Sequence, residues 1–192
     1  MSTLAFDIAQ FFPSLNHQFL VLILKKAEFD SHVAKFFSNY LIGRKTNYFW
    51  NSFTSPSFDV NVGVDQGSAL SSILLALYLL LLLHIIENCL KNLKIPISIL
   101  SFVDNSLFIS QSKLFPISNA CLFSSYNVMT NLLSKFRLIV KHSKTEVFYF
   151  TRSQGFFNPS PLDLSPIGGH ILCPKNSWIY LGFIFDRKLS FH

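Results

Sequence analysis

Ser101-Phe102-Val103-Asp104-Asn105-Ser106 sets a polar dipeptide between two apolar runs, Ile97-Ser98-Ile99-Leu100 before it and Leu107-Phe108-Ile109 after it. Two short apolar runs around Asp-Asn read as two β-strands joined by a tight turn. Asp and Asn tolerate the left-handed backbone such a turn needs, so a plain hairpin accounts for the pattern. The sharper reading is that the turn presents a carboxylate to a divalent metal. It gains force from a second carboxylate, Asp7, inside the strand-like Leu4-Ala5-Phe6-Asp7-Ile8.

Working outward, the punctuation of the chain separates further elements. Pro13 to His17 is a helix-start signal ahead of Phe19 to Phe29, and Asp30-Ser31-His32 opens a second helix that ends at Gly43. Lys45 to Phe58 is rich in β-formers, with Asn51-Ser52 as the turn of a hairpin. Val62 to Ser68 is a glycine-punctuated loop before a long apolar helix. After the Asp104-Asn105 hairpin, Ile117 to Phe136 reads as an amphipathic helix. Leu138 to Val140 and Val147 to Phe150 read as strands on either side of Lys144. Gly155 to Pro166 reads as an exposed loop, and Trp178 to Phe185 as a last strand followed by a turn at Asp186-Arg187-Lys188. The order β-α-α-β-α-ββ-α-β is an α+β pattern, not a doubly wound one.

At 192 residues one domain with a full core is expected. Half the residues are hydrophobic, 22 of them Phe, and 14% are charged, so part of the surface is expected to lie against something else. The net charge of +6 fits a polyanionic partner, although the basic residues are scattered along the chain. Cys89, Cys121 and Cys173 are far apart and odd in number. They give neither metal spacing nor a disulfide framework, and the expected setting is intracellular, cytoplasm or nucleus. The N-terminus lacks the features of a signal peptide, so secretion is not expected. Ala69 to Ile86 carries no charge and approaches the length of a membrane span. A fully buried core helix gives the same pattern and is the preferred reading, which leaves a membrane partner unexpected.

Five segments then fall in the order of a known family. Phe6-Asp7-Ile8-Ala9-Gln10-Phe11-Phe12-Pro13-Ser14-Leu15-Asn16-His17 resembles the first metal-binding motif of reverse transcriptases, most like those of non-LTR (LINE-type) retrotransposons. Gly63-Val64-Asp65-Gln66-Gly67-Ser68-Ala69-Leu70-Ser71 resembles their "PQGSPLSP" loop. Phe102-Val103-Asp104-Asn105 stands where the family has "ADD" or "VDD". Lys144-Thr145-Glu146 resembles the lysine motif that follows, and Tyr180-Leu181-Gly182 the "YLG" primer grip. Any one of these is common; the five in order span nearly the whole chain.

The resemblance implies a polymerase palm: a small antiparallel sheet that carries the catalytic hairpin and is backed by helices. It further implies a partial reverse transcriptase domain over residues 1–192, with fingers and thumb largely missing. The activity it implies is template-directed transfer of deoxynucleotides to a primer 3′-hydroxyl. The partners would be an RNA template, a DNA primer, deoxynucleoside triphosphates and the missing segments of a longer polyprotein. Two Mg2+ (or Mn2+) ions about 3.5–4 Å apart serve such a reaction, and hard oxygen ligands hold them. By resemblance Asp7 and Asp104 are those ligands, assisted by the backbone carbonyl of Ile8. Phe12 would exclude a 2′-hydroxyl. Gln66, Gly67 and Ser68 would line the nucleotide and template side. Lys144 would protonate the pyrophosphate.

The sequence also departs from the family. Asn105 replaces the second aspartate, and Asp65, Ala69 and Ser72 replace the three prolines of "PQGSPLSP". An amide still coordinates through its carbonyl but neutralises nothing, so impaired activity is expected. Two other readings stay open: a non-catalytic nucleic-acid-binding remnant of a retroelement, and a small single-span membrane protein. An RNA-directed RNA polymerase shares the palm logic, but Gln66-Gly67-Ser68 and Tyr180-Leu181-Gly182 favour the reverse transcriptase.

Overall fold

The computed structural model describes residues 1–26, 29–151, 159–175 and 177–189. The elements begin with strand β1 (Ser2–Ala9), a single helical turn α1 (Phe11–Ser14), helices α2 (His17–Lys26) and α3 (Ser31–Leu41). Four two-residue strands follow: β2 (Lys45–Thr46), β3 (Phe49–Trp50), β4 (Phe53–Thr54) and β5 (Phe58–Asp59). Then come helix α4 (Ala69–Asn92), the hairpin β6 (Ile97–Phe102) and β7 (Asn105–Ser110), and helix α5 (Phe115–Lys135). The chain continues through β8 (Ile139–Val140), a 3-10 turn at His142–Lys144, and β9 (Glu146–Tyr149). It closes with the pair β10 (Leu162–Asp163) and β11 (Ile171–Leu172), then β12 (Ser177–Tyr180) and β13 (Phe183–Asp186). This is a mixed α and β chain in which, among the described residues, every paired strand is antiparallel.

The contacts divide the chain into two compact units. The first comprises Met1–Ala9, Leu83–Lys135 and Ile139–His192. Its sheet is built around β1, which pairs with β7 along one edge. The other edge of β1 is shared: β9 takes its first half and β8 its second. The turn His142–Lys144 bridges those two strands, and this sharing brings Lys144 opposite the middle of β1.

Alternation along β1 gives the sheet two unlike faces. Leu4, Phe6 and Ile8 are buried on one of them. The Phe6 ring lies 4.9 Å from Phe108 and 6.0 Å from Tyr126 of α5. Helix α5 keeps Leu122, Tyr126, Met129 and Leu133 buried at helical spacing. The other face carries Thr3, Ala5 and Asp7. Beside Ala5 an apolar cluster of Leu107, Phe148, Phe150 and Trp178 forms, with Tyr180 packed against it.

The second unit comprises Gln10–Leu82 and Phe136–Leu138. Asn16 caps α2 by accepting from the Phe19 amide at 3.0 Å, and Asp30 caps α3 by accepting from the His32 amide at 2.8 Å. The Phe19 ring packs 5.2 Å from Tyr78 and 4.5 Å from Phe136. Gly63 has φ +80°, and a side chain there would meet the Pro13 carbonyl oxygen at 2.6 Å. Only glycine lets these two stretches of backbone approach so closely.

Three expectations change. The last segment is not one strand but a hairpin, β12 and β13, which turns at Leu181-Gly182 with φ 49° and 82°. Both φ values are positive, as two-residue hairpin turns favour. Helix α4 is not buried all round: Ser71, Leu74, Leu75, Tyr78, Leu79, Leu82, Ile86 and Leu90 form one buried stripe, while Ile73 and Leu80 are exposed. It remains long and apolar enough to cross a membrane by length and composition. The stretch expected as a loop from Gly155 to Pro166 contains β10, with Leu162 and Leu164 buried; residues 155–158 lie outside the described residues.

Candidate nucleotidyl-transfer site

In the first unit, the register of β1 against β7 sets Asp7 directly opposite Asn105. Because Phe102 pairs with Asn105, the hairpin turn consists of Val103 and Asp104. This corrects the expected Asp104-Asn105 turn. The left-handed residue is Val103, at φ +56°, and neither Asp104 nor Asn105. A β-branched residue is disfavoured there. Strand pairing dictates the position, and the Ile8 amide, donating to the Asp104 carbonyl at 3.1 Å, ties the turn back to β1.

Four predicted site residues therefore meet at one corner of this unit. Asp7 is 8% exposed, and its Oδ2 accepts from Lys144 Nζ at 2.8 Å. Its Oδ1 is buried and has no hydrogen-bond partner among the described residues. The Asn105 side-chain amide donates to Asp104 Oδ1 at 3.1 Å. The Lys141 amide donates to the Asp7 carbonyl at 2.8 Å, fixing the strand of the lysine turn to β1. Ile8 buries its side chain on the opposite face, so only its backbone reaches this corner. The hydrogen bond from Lys144 to Asp7, then the Asp7 charge and more weakly that of Asp104, raise the lysine above its ordinary value.

A buried network that the sequence did not reveal supports the lysine turn. The Tyr126 hydroxyl lies 2.8 Å from His142 Nδ1 and 3.1 Å from Thr145 Oγ1, bridging the two ends of the turn that carries Lys144. Burial, then the charge of His170, lowers the His142 value; burial raises that of Tyr126, against the hydrogen bond from Thr145. No local pattern marks Tyr126 as special, because an aromatic at helical spacing on α5 reads as core.

The corner suits a hard cation through its donors. A buried, unpartnered carboxylate oxygen on Asp7 and the Asp104 carboxylate are oxygen ligands of the kind Mg2+ takes. Among the described residues no group of three or more His, Cys, Asp or Glu side chains could hold a metal ion.

The other predicted residues lie elsewhere. Tyr180, Leu181 and Gly182 form the end of the β12–β13 hairpin. Tyr180 stacks on Trp178 with centroids 4.8 Å apart, and Trp178 stacks on Phe148 at 6.0 Å. By alternation, Trp178 and Tyr180 sit over the sheet face to which Asp7 belongs. Phe12, Gln66, Gly67 and Ser68 belong to the second unit. Phe12 is half-buried, and its carbonyl accepts from the Val64 amide at 2.9 Å. Gln66 and Gly67 are exposed, Gly67 at φ +97°, and the Ser68 carbonyl accepts from the Ser72 amide at 3.3 Å at the start of α4. This loop has a partner missed in the sequence: Arg44 forms an ion pair with Asp65, one of the residues standing in for proline, and lies 5.5 Å over the Tyr40 ring. A cavity of about 360 Å³ opens beside it, lined by Pro13, Arg44, Thr46, Val62, Gly63 and Asp65 among others.

The antiparallel sheet thus carries one carboxylate, Asp7, on its central strand and another, Asp104, on the neighbouring hairpin. The model of the reverse transcriptase (RNA-dependent DNA polymerase) family matches residues 2–185, and the chain belongs to that family. Its fold is similar to that of two solved telomerases. Apo telomerase from Candida tropicalis, truncated from its C-terminal domain, matches at TM-score 0.57 and 15% identity, over 100% of this chain and 34% of that one. Telomerase from Candida albicans, in complex with a TWJ fragment of telomeric RNA, matches at TM-score 0.59 and 15% identity, over 98% of this chain and 31% of that one. The chain thus spans about a third of the length of these telomerases. A search of curated protein sequences finds no match.

Proposed function

We propose that this chain is the palm portion of a retroelement reverse transcriptase, of the non-LTR type, with impaired polymerase activity. The observation that carries the proposal is the register pairing of Asp7 with Asn105. It brings the β1 carboxylate beside the Asp104 turn, with Lys144 2.8 Å from Asp7. Asp7 and Asp104 would hold divalent cations, Mg2+ or Mn2+, which when bound activate the primer hydroxyl and stabilise the leaving pyrophosphate. Lys144, kept as an ammonium, supplies a positive charge and a proton on the same side. Deoxynucleoside triphosphates, an RNA template and a DNA primer are the substrates this reading assigns. Phe12, Gln66, Gly67 and Ser68 would serve the nucleotide and template, and Tyr180, Leu181 and Gly182 the primer.

Impairment has its own support. The Asn105 amide engages Asp104 Oδ1, and Lys144 engages Asp7 Oδ2, so one oxygen of each carboxylate is already taken within the chain. A carboxylate at position 105 would repel rather than cap Asp104 and would favour a bound cation. The test is primer extension on an RNA template with Mn2+ or Mg2+, comparing the natural chain with Asn105→Asp, Asp7→Asn and Asp104→Asn. Asn105→Asp is expected to raise incorporation about tenfold or more, and each Asp→Asn variant to abolish it. Equal incorporation by the natural chain and Asp7→Asn would contradict the proposal.

A further inference from the structure

The hairpin β3–β4 of the second unit exposes more aromatic surface than folding explains. Trp50 pairs directly with Phe53, and Phe49 with Thr54. Alternation then puts Tyr48, Trp50 and Phe53 on one face of the ribbon. Those three rings are 69%, 77% and 62% exposed. The ribbon is nevertheless held firmly. The Asn47 side chain donates to the Ser55 carbonyl at 2.9 Å, the Tyr48 amide to Ser55 Oγ at 2.8 Å, and the Ser55 amide to the Tyr48 carbonyl at 2.9 Å. The outer pair β2–β5 clamps its base, where Tyr48 and Phe58 lie 5.1 Å apart.

Composition distinguishes among the occupants such a face could take. From Lys45 to Asp59 there is no Leu, Ile, Val or Met, so the apolar surface consists of rings. From Arg44 to Phe58 there is no Asp or Glu, while Asn47, Asn51, Ser52, Thr54 and Ser55 interleave the rings with hydrogen-bonding groups. Lys45 is exposed at the base of the ribbon. Flat rings with hydrogen-bonding groups between them complement stackable bases, while Lys45 faces Asp59 across the β2–β5 pair. A lipid-inserting face of this size would carry aliphatic side chains as well.

We propose that the Tyr48-Trp50-Phe53 face is a stacking platform for the bases of single-stranded nucleic acid. The proposal deepens the polymerase reading and rests on it for the kind of ligand. It does not need the carboxylate corner, because stacking requires no metal.

Trp50 is itself the probe. The chain has two tryptophans, and Trp178 is buried, so quenching by added oligonucleotide reports on Trp50. The intact chain, without divalent metal, is titrated with 20-mers of dT and of U, and anisotropy of the labelled oligomers follows variants lacking Trp50. Base–aromatic stacking is worth about 1–3 kcal/mol per base. Trp50→Leu and Phe53→Leu should therefore each weaken binding by about 5- to 150-fold, while Trp50→Phe retains most of it. Duplex DNA that competes as well as the single strand, or Trp50→Leu binding unchanged, would overturn the platform. Quenching by phosphatidylserine vesicles but not by oligonucleotide would overturn it in favour of a lipid surface. Loss of primer extension with stacking intact would overturn the polymerase reading alone.

Discussion

Two hairpins of this chain invert each other's logic. At Phe102–Asn105 the turn forces Val103 to φ +56°, yet the ribbon is backed by a central strand and delivers a carboxylate beside Asp7. At Trp50–Phe53 the turn places Asn51 at φ +53°, a conformation Asn adopts readily, and the ribbon leaves its rings exposed. The first hairpin tolerates a poor turn residue because β7 is paired on both edges, which fixes its register; the second has a residue that suits its turn, in a ribbon held by its own pairing and its base. Backbone strain persists where the surroundings over-determine it.

The largest expected effect measures that backing. Phe108 on β7 is fully buried against Phe6, so Phe108→Ala should cost about 3–5 kcal/mol. Phe53→Ala on the exposed hairpin should stay within about 0.5 kcal/mol. Chemical denaturation of both variants checks the contrast, and similar losses would break it. Next comes the support of the lysine turn. Tyr126→Phe removes two hydrogen bonds and leaves the buried Thr145 hydroxyl short of a partner, a loss of about 1–3 kcal/mol.

A smaller effect sharpens the turns themselves. Val103→Asn should stabilise the chain by about 1 kcal/mol and Asn51→Val should destabilise it by about the same amount. Thermal melts that moved in the same direction for both would refute the assignment of strain. The smallest effect is in pH. His142 lies below its ordinary value of 6.5 because of burial and then His170. The unfolded chain therefore binds the proton first, and stability should fall as pH drops below about 6.5, levelling off below the folded-state value. His170→Gln should shrink that loss, as melts at pH 7.5 and 5.5 would register.

Much of the site was legible because it is local in sequence. The strand around Asp7, the hairpin around Asp104 and the order of five short segments need only alternation and punctuation. The cap at Asp30 and the turn at Asn51 were legible for the same reason. What was not legible depends on pairing over long separations. That Val103 takes the left-handed position follows from the Phe102–Asn105 pairing, and no propensity of Val suggests it. The ion pair of Lys144 with Asp7 arises because two short strands share one edge of β1. The hairpin at Leu181-Gly182 was hidden because β-formers run up to and past a two-residue turn of which only the glycine is a turn signal. The one-sided burial of α4 was hidden because a uniformly apolar helix carries no periodic signal.

The polymerase reading requires the Asp7–Asp104 corner to hold a divalent cation. Titration of the natural chain with Mn2+, following the loss of the free-ion electron paramagnetic resonance signal, addresses this directly. The predicted result is weak binding by the natural chain, binding about tenfold tighter with Asn105→Asp, and none with Asp7→Asn or Asp104→Asn. Binding of Mn2+ by Asp7→Asn equal to that of the natural chain would contradict it.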